Sequence, residues 1–241
     1  MKIIAHRGIH SDVVEENSRG AVSSVLDSGA EGIEIDVRIT SDDICVVHHD
    51  THLKNGLRLS ALNFEQLQKH QPDVMLVSDA LEILKAFHGL INLEVKHLIG
   101  ERDARRGRLC VEKLTTHIRS VFGENIGNVV VSSFSIPNIR HSGKNMPTIA
   151  RAYLGPRPLS FKRIINRALK HDCKAVHLSV AQMQSKRFSR FMDLARNNDL
   201  DVRIYTVNTE GEFKMAKDLG VDAIFTDHVN EMKKIRENLL S

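Results

Sequence analysis

The chain has 241 residues, of which 41% are hydrophobic and 27% charged, with a formal net charge of +4 when histidine is neutral. That is the make-up of an ordinary globular protein, and it leaves out collagenous, low-complexity and disulfide-scaffold classes. The positive charge is scattered. Its densest run, "ERDARRGR" at 101–108, reads as a solvated loop and helix start, so with no recognition motif beside it nucleic-acid binding is set aside.

From the first residues on, short β-rich runs alternate with helical patterns. "KIIAH" (2–6) opens as a strand, and "NSRGAVSSVLDSGA" (17–30) follows as a helix that Asn17 or Ser18 can cap. "GIEIDVRI" (32–39) and "ICVVHH" (44–49) read as strands, joined by the turn-type cluster "TSDD" at 40–43. "NFEQLQKH" (63–70) and "SDALEILKAFHG" (78–89) are helical, the second with Ser78 and Glu82 as possible capping residues, and "LINLEVK" (90–96) is a strand. Strands "NVVVSSF", "TIARAYL", "KAVHLSV", "VRIYTV" and "DAIFTD" follow, with helices "RLCVEKLTTHIRSVFG", "PLSFKRIINRALKHD", "SKRFSRFMDLARNND", "EGEFKMAKDLG" and "VNEMKKIRENLL" beside them, though none is read between "NVVVSSF" and "TIARAYL".

This alternation predicts βα units around a parallel sheet. A single (β/α)8 barrel of about 250 residues fits the length. Nine strand runs are one too many for it, and an antiparallel hairpin after the second strand absorbs the extra one. An open doubly wound sheet would carry a Gly-rich phosphate turn after the first strand, where this chain has "AHRGIHSDVVEEN". No Pro/Gly/Ser-rich linker divides the chain, so residues 1–241 are expected to form one barrel domain.

In "GIEIDVRI" the apolar residues alternate with Glu34, Asp36 and Arg38, so the two acids share one face. That face alone could simply be a wet one. With the hairpin turn centred between Asp42 and Asp43, however, Asp36 is expected opposite His49, with Cβ atoms roughly 5 Å apart. His48 must then point to the other face and is read as structural. Barrel active sites lie at the carboxyl ends of the strands, and these ends are rich in polar groups. They carry His6-Arg7, Glu34 and Asp36, His49-Asp50, Glu94 and Lys96, Ser132-Ser133, Ser179, Thr206 and Asn208, and Thr226-Asp227. Three carboxylates suit a hard cation, two histidines can move protons near neutral pH, and Arg7 and Lys96 can hold an anion. An isolated strand-end Arg or Lys is more often a salt-bridge partner. Ser132 and Ser133 read as hydrogen-bonding residues, since no G-x-S-x-G surrounds them. His10 and His52 have no partner that the pattern can place, and are read as surface residues.

Taken together, "AHRG", Glu16-Asn17 nine residues beyond Arg7, "EIDV", "VVHHD", "LEVK", "VSSF", "YTVN" and "GVDAIFTD" resemble the glycerophosphodiester phosphodiesterase family, in order and over residues 3–227. The resemblance implies a (β/α)8 barrel related to phosphatidylinositol phospholipase C. It implies divalent-cation-dependent hydrolysis of glycerophosphodiesters to sn-glycerol 3-phosphate and an alcohol, and a cyclic phosphate is the expected intermediate on these residues. Carried over by motif, Glu34, Asp36 and Glu94 would bind Mg²⁺ or Ca²⁺, and His6 and His49 would be acid and base. Arg7 and Lys96 would grip phosphate, with Glu16, Asn17, Asp50 and Tyr205 in support. The chain departs from the family in four places. Glu15 stands for the usual Pro, Tyr205 for the usual Trp, "LKNGLRLS" for the Arg-Thr-Thr stretch after His-Asp, and the insertion after it is shortened. Lysophospholipase D-type or cyclising chemistry on the same core is the alternative. A catalytically silent barrel that only binds a phosphodiester is a remoter one, since every chemical group is present.

Cys45, Cys110 and Cys173 follow no zinc or disulfide spacing and read as small apolar residues of a reducing compartment. No apolar run approaches the roughly 20 residues of a membrane span, and "MKIIAHRG" lacks a signal-peptide apolar region. A cytoplasmic enzyme of a small-molecule diester is the expectation.

Overall fold

The computed structural model describes residues 1–96, 104–123 and 126–239. The start of the basic run at 101–103 and the last leucine of the final helix, Leu240, fall outside the described residues.

Ten strands form one sheet: β1 (Lys2–Ala5), β2 (Gly32–Ile39), β3 (Cys45–Val47), β4 (Met75–Leu76), β5 (Leu90–Val95), β6 (Val129–Ser133), β7 (Ala150–Leu154), β8 (Ala175–Ser179), β9 (Asp201–Tyr205) and β10 (Ala223–Thr226). Their order is β1-β10-β9-β8-β7-β6-β5-β2-β3-β4, and a parallel β1–β2 pairing, Ile4 with Gly32 and Ala5 with Ile33, closes the ring. Eight parallel strands thus make a barrel, and β3 and β4 extend antiparallel from β2. This is the (β/α)8 architecture expected, with the hairpin after the second strand.

The hairpin register differs by one residue from the expectation. Val37 pairs with Val47 and Ile39 with Cys45, so Asp36 faces His48, whose amide donates to the Asp36 carbonyl at 3.0 Å. The turn sets this. Thr40 and Ile44 close it through Thr40 N–H to the Ile44 carbonyl, with Asp43 at φ +67°. Its centre is therefore one residue longer than the tight turn assumed. His49 lies beyond the end of β3 and reaches the site by another route, described below.

The helices are α1 (Arg19–Ser23), α2 (Val25–Ser28), α3 (Phe64–His70), α4 (Val77–Leu84), α5 (Ala104–Phe122), α6 (Ile136–Asn145), α7 (Phe161–Lys170), α8 (Val180–Met183), α9 (Phe188–Arg196), α10 (Glu210–Asp218) and α11 (Val229–Asn238). The first predicted helix is broken at Ser24, within a stretch of the weak helix formers Gly20, Ser23 and Ser24. Ser18 caps it by accepting from the Ala21 amide, which leaves Asn17 free for another task. Helix α4 starts one residue before Ser78 and has no side-chain cap.

The barrel strands bury both faces. Outward residues such as Ile33, Ile35, Leu93, Val131, Val176, Val202 and Ile224 pack beneath the helices in one continuous core. Inside, Ile4, Ala223 and Phe225 with Leu90 and Tyr205, and Val130, Ala152 and Ala175 with Leu90 and Ala150, fill the lower barrel. Polar groups stand above this apolar plug, at the carboxyl ends of the strands. A smaller core of Val46, Leu53, Leu59, Leu67 and Val74 lies under the segment between β3 and β5.

Candidate active site

β2 and β5 run in parallel register, Glu34 beside Asn92 and Asp36 beside Glu94, so the inward positions of two neighbouring strands collect the acids. Glu34, Asp36 and Glu94 are 3%, 1% and 8% exposed. They do not form a wet strand face. One carboxylate oxygen from each lies within 4.8 Å of the others. Like charges packed this way require compensation. Lys96 supplies part of it, its Nζ lying 2.7 Å from Asp36 Oδ1 and 2.8 Å from Glu94 Oε1. Burial would raise the Asp36 carboxyl, but Lys96, His49 and Arg7 outweigh it and hold this group well below the usual range. Glu34 is not compensated to the same degree. Burial and then the charges of Asp36 and Glu94 push it well up, and its Oε1 has no hydrogen-bond partner among the described residues.

A hard cation fits this arrangement. Three carboxylate oxygens are the donor type that Mg²⁺ and Ca²⁺ take. The orphaned Glu34 oxygen is a donor already desolvated and free of any other partner among the described residues.

The β1–α1 loop holds the cluster from the side. Arg7 has φ +58°, a left-handed conformation rare for a side chain of its size, and its backbone N–H donates to Glu34 Oε2 at 3.0 Å. Its guanidinium Nη1 donates to both Glu16 oxygens at 2.7 and 2.8 Å, and Nε lies 3.4 Å from Asp36 Oδ2. Gly8 follows at φ +83°, where an added Cβ would meet the Ala21 carbonyl at 2.7 Å. Asn17, also at φ +58°, donates to Asp36 Oδ2 at 2.8 Å and accepts from the Asp36 amide at 3.2 Å. Arg7 and Lys96 are therefore ion-paired within the site, and each keeps donors to spare.

Two histidine–carboxylate pairs flank the acids. His6 Nδ1 lies 2.7 Å from Asp227 Oδ1, and Asn208 Nδ2 donates to Asp227 Oδ2 at 2.6 Å. His49 Nδ1 lies 2.8 Å from Asp50 Oδ1. His49 arrives after β3 because the buried Arg38 pulls in its backbone, Nε and Nη2 donating to the His49 carbonyl at 2.8 and 2.5 Å. Burial, then the charge of Lys96, lowers the proton affinity of the His49 ring, and Asp36 and Asp50 oppose this only in part. Of these groups, His6, Arg7, Glu34, His49, Glu94 and Lys96 line a cavity of about 240 Å³, together with Asn92, Phe134, Leu154, His177, Tyr205, Thr206 and Phe225.

The glycerophosphoryl diester phosphodiesterase family matches residues 6–231 of this sequence. The chain belongs to that family. It is accordingly an enzyme of phosphodiester hydrolysis. A glycerophosphodiester phosphodiesterase of Bacillus altitudinis is 29% identical over 255 residues, covering 99% of each chain. Among solved structures, a glycerophosphodiester phosphodiesterase of Parabacteroides distasonis superposes with a TM-score of 0.86 at 20% identity, over 100% of this chain and 98% of that one. An Oleispira antarctica phosphodiesterase in complex with the product sn-glycerol-3-phosphate has a TM-score of 0.83 at 21% identity, over 98% and 97%. At such identities these structures establish the likeness of fold.

The four departures from the family pattern now have positions. Glu15 pairs with the exposed Lys54 at 2.9 Å. Tyr205 forms the cavity wall edge-on to Phe134, ring centroids 6.3 Å apart. "LKNGLRLS" turns back on itself through Leu53 N–H to the Leu57 carbonyl and buries Leu53 and Leu59 in the small core. No residue from 51 to 89, which includes the shortened insertion, lines the cavity.

Sequence reasoning missed the roles of five residues. His10, read as a surface residue, lies with Nε2 3.3 Å from Asp227 Oδ1. Asp227 and Asn208 were legible as polar strand ends but not as the support of His6. Asn92 and His177, each 1% exposed, sit in apolar runs where their parity with Glu94 and Ala175 was the available signal.

Proposed function

We propose that this enzyme hydrolyses glycerophosphodiesters to sn-glycerol 3-phosphate and an alcohol, with a divalent cation, by histidine acid–base catalysis. The observation that carries the reading is the convergence of the Glu34–Asp36–Glu94 cluster and two histidine–carboxylate pairs on one cavity. The family match supports the substrate class, as does the product named for the Oleispira antarctica structure.

Glu34, Asp36 and Glu94 would hold Mg²⁺ or Ca²⁺, which supplies charge neutralisation for phosphoryl oxygens and acidifies a bound hydroxyl. The protein's own groups do the rest. Arg7 and Lys96 direct their remaining donors at the phosphate. His49, held neutral by its surroundings, takes the proton from the substrate hydroxyl next to the phosphate. That oxygen attacks phosphorus, and the bond to the leaving alcohol breaks. His6, oriented by Asp227 through Nδ1, gives a proton from Nε2 to the departing oxygen. Water then opens the cyclic phosphate with the two rings in exchanged roles. Tyr205 and Phe134 wall the site against bulk water.

Residues 1–241 are taken as one phosphodiesterase domain, in keeping with the continuous core and the span of the family match. A cytoplasmic setting accords with three buried free cysteines. No helix among the described residues is long and apolar enough to cross a membrane.

The test is release of glycerol 3-phosphate from glycerophosphocholine and glycerophosphoethanolamine with Mg²⁺, with Ca²⁺ and with EDTA. Metal-dependent release is expected, and loss of roughly 10²–10⁴ in rate for His6→Ala and for His49→Ala. Near-wild-type rates in both variants would refute the acid–base assignment. Turnover of lysophosphatidylcholine in place of the glyceryl diesters would transfer the site to lysophospholipase D-type chemistry.

A further inference from the structure

Two buried polar groups on the cavity floor are left over by this mechanism. Asn92 donates through Nδ2 to Ser132 Oγ at 3.0 Å, yet its Oδ1 is buried with no partner. His177 Nε2 is likewise buried and unpartnered. The His177 ring stacks obliquely on Phe225, centroids 4.9 Å apart, and is held in register between Leu154 and Arg203 on the neighbouring strands. Both residues line the cavity that also exposes Glu34, His6 and His49. Buried polar groups are almost always hydrogen-bonded, so two orphans carried by residues that line one cavity point to a ligand that completes them.

We propose that Asn92 and His177 form a floor subsite that reads a hydroxyl of the alcohol retained on phosphorus, the one remote from the phosphate. The inference rests on the hydrolysis reading above and narrows its substrate class. The required ligand chemistry follows from the groups themselves. Asn92 Oδ1 only accepts. Burial, with Arg203 beside it, keeps the His177 ring uncharged, so it offers one donor and one acceptor. A hydroxyl, which both donates and accepts, satisfies either; an alkyl group satisfies neither. Around the two residues the barrel interior is filled by Ile4, Ala223 and Phe225 on one side and Val130, Ala152 and Ala175 on the other. Among the described residues, these buried side chains occupy the space that an acyl chain on that hydroxyl would need. The subsite therefore selects deacylated, glycerol-type diesters and rejects both deoxy analogues and lysophospholipids. A site built to bond a hydroxyl discriminates strongly against the analogue without it, because its own buried groups are then left unpaired.

The experiment compares three diesters on the metal-loaded enzyme: glycerophosphocholine, the propane-1,2-diol phosphocholine diester that lacks only the remote hydroxyl, and lysophosphatidylcholine. Wild-type kcat/KM is expected to fall roughly ten- to hundredfold on the propanediol diester. His177→Leu should lose a similar factor on glycerophosphocholine but stay within about twofold of wild type on the propanediol diester. His177→Asn, which keeps a donor and an acceptor, should recover part of the loss. Equal wild-type turnover of the two diesters would overturn the subsite, as would an equal loss on both in His177→Leu. Either result would mean that ordered water completes the orphans. Efficient cleavage of lysophosphatidylcholine would also overturn it. Absence of wild-type activity on all three would overturn the hydrolysis reading and this one with it. Calorimetric binding of glycerol 3-phosphate against propane-1,2-diol 1-phosphate makes the same comparison on the unaltered protein, where a ratio near one refutes the subsite.

Discussion

Replacing Asp227 by asparagine tests the arrangement around His6 with almost no change in volume. Asp227 accepts from Asn208 Nδ2 at 2.6 Å on one oxygen and faces His6 Nδ1 at 2.7 Å with the other. In Asp227→Asn the amide oxygen must stay on the Asn208 side, since two NH₂ groups cannot bond each other. The new NH₂ then points at His6 Nδ1, which has to accept. The ring is driven into the tautomer with its proton on Nε2, and the protonated ring loses its carboxylate. Each charge-assisted hydrogen bond lost is worth about 1.5–3 kcal/mol. Applied to the transition state, one or two of them correspond to a fall in kcat of roughly 10–10⁴. The assay is glycerophosphocholine hydrolysis at saturating metal, with kcat measured against pH and circular dichroism checking the fold. A kcat within about threefold of wild type and an unaltered pH profile would refute the role of Asp227, because a tautomer reversal cannot be that cheap.

The same variant carries a stability signature. The His6 and Asn208 contacts outweigh burial and hold the Asp227 carboxyl well below its usual range. A carboxyl lowered in the folded state stabilises above its unfolded value, near 3.8, and that contribution disappears as pH falls through the folded value. Urea midpoints of wild type and Asp227→Asn should therefore lie apart at pH 7 and converge on acidification. Gly8→Ala places a Cβ against the Ala21 carbonyl at 2.7 Å in a left-handed conformation. The conformation costs about 1–2 kcal/mol and the overlap about 1–3 kcal/mol, read as a shifted urea midpoint. Lys96→Met leaves Asp36 and Glu94 without their ammonium, which should cost the metal-free protein about 3–5 kcal/mol. Mg²⁺ or Ca²⁺ should restore part of this in a thermal melt, and no metal effect would speak against the carboxylate cluster as the ion site. Arg38→Met frees the His49 carbonyl, so kcat should fall about tenfold or more while the melting temperature moves only a few degrees.

The barrel was legible because its strands are β-branched runs with inward parity preserved, as in "GIEIDVRI", and because helical patterns separate them. What escaped the sequence was set by tertiary geometry. The β2–β3 register turned on which residue of a Thr-Ser-Asp-Asp turn takes a left-handed conformation. Helix α6 begins with Ser135 as cap and Pro137 in its first turn, and contains Gly143 and Asn145, so its propensity is poor and packing against α5 and β6 decides it. In the site, the acids, His6 and His49 stood out because ionisable residues at strand ends are conspicuous. His10 did not, because its partner is Asp227, more than two hundred positions away, and no local pattern carries that contact. Asn92 and His177 were hidden by their apolar neighbours. A single polar residue at inward parity in a buried strand was the signal, and only the closed ring shows that both face one cavity.

His6 and Asp227 are 221 positions apart in the chain, and β1 joins β10 in the ring. At about 5–20 residues per second on the ribosome, the two halves of this pair emerge roughly 10–40 s apart. Glu34, Asp36 and Glu94 are all made within the first part of that interval, on two strands that pair with each other. A nascent chain can thus gather its acids long before it has a supported His6. With His6 in its proposed role, hydrolytic competence would arrive only when β10 joins β1, and the onset of activity would mark the moment of barrel closure.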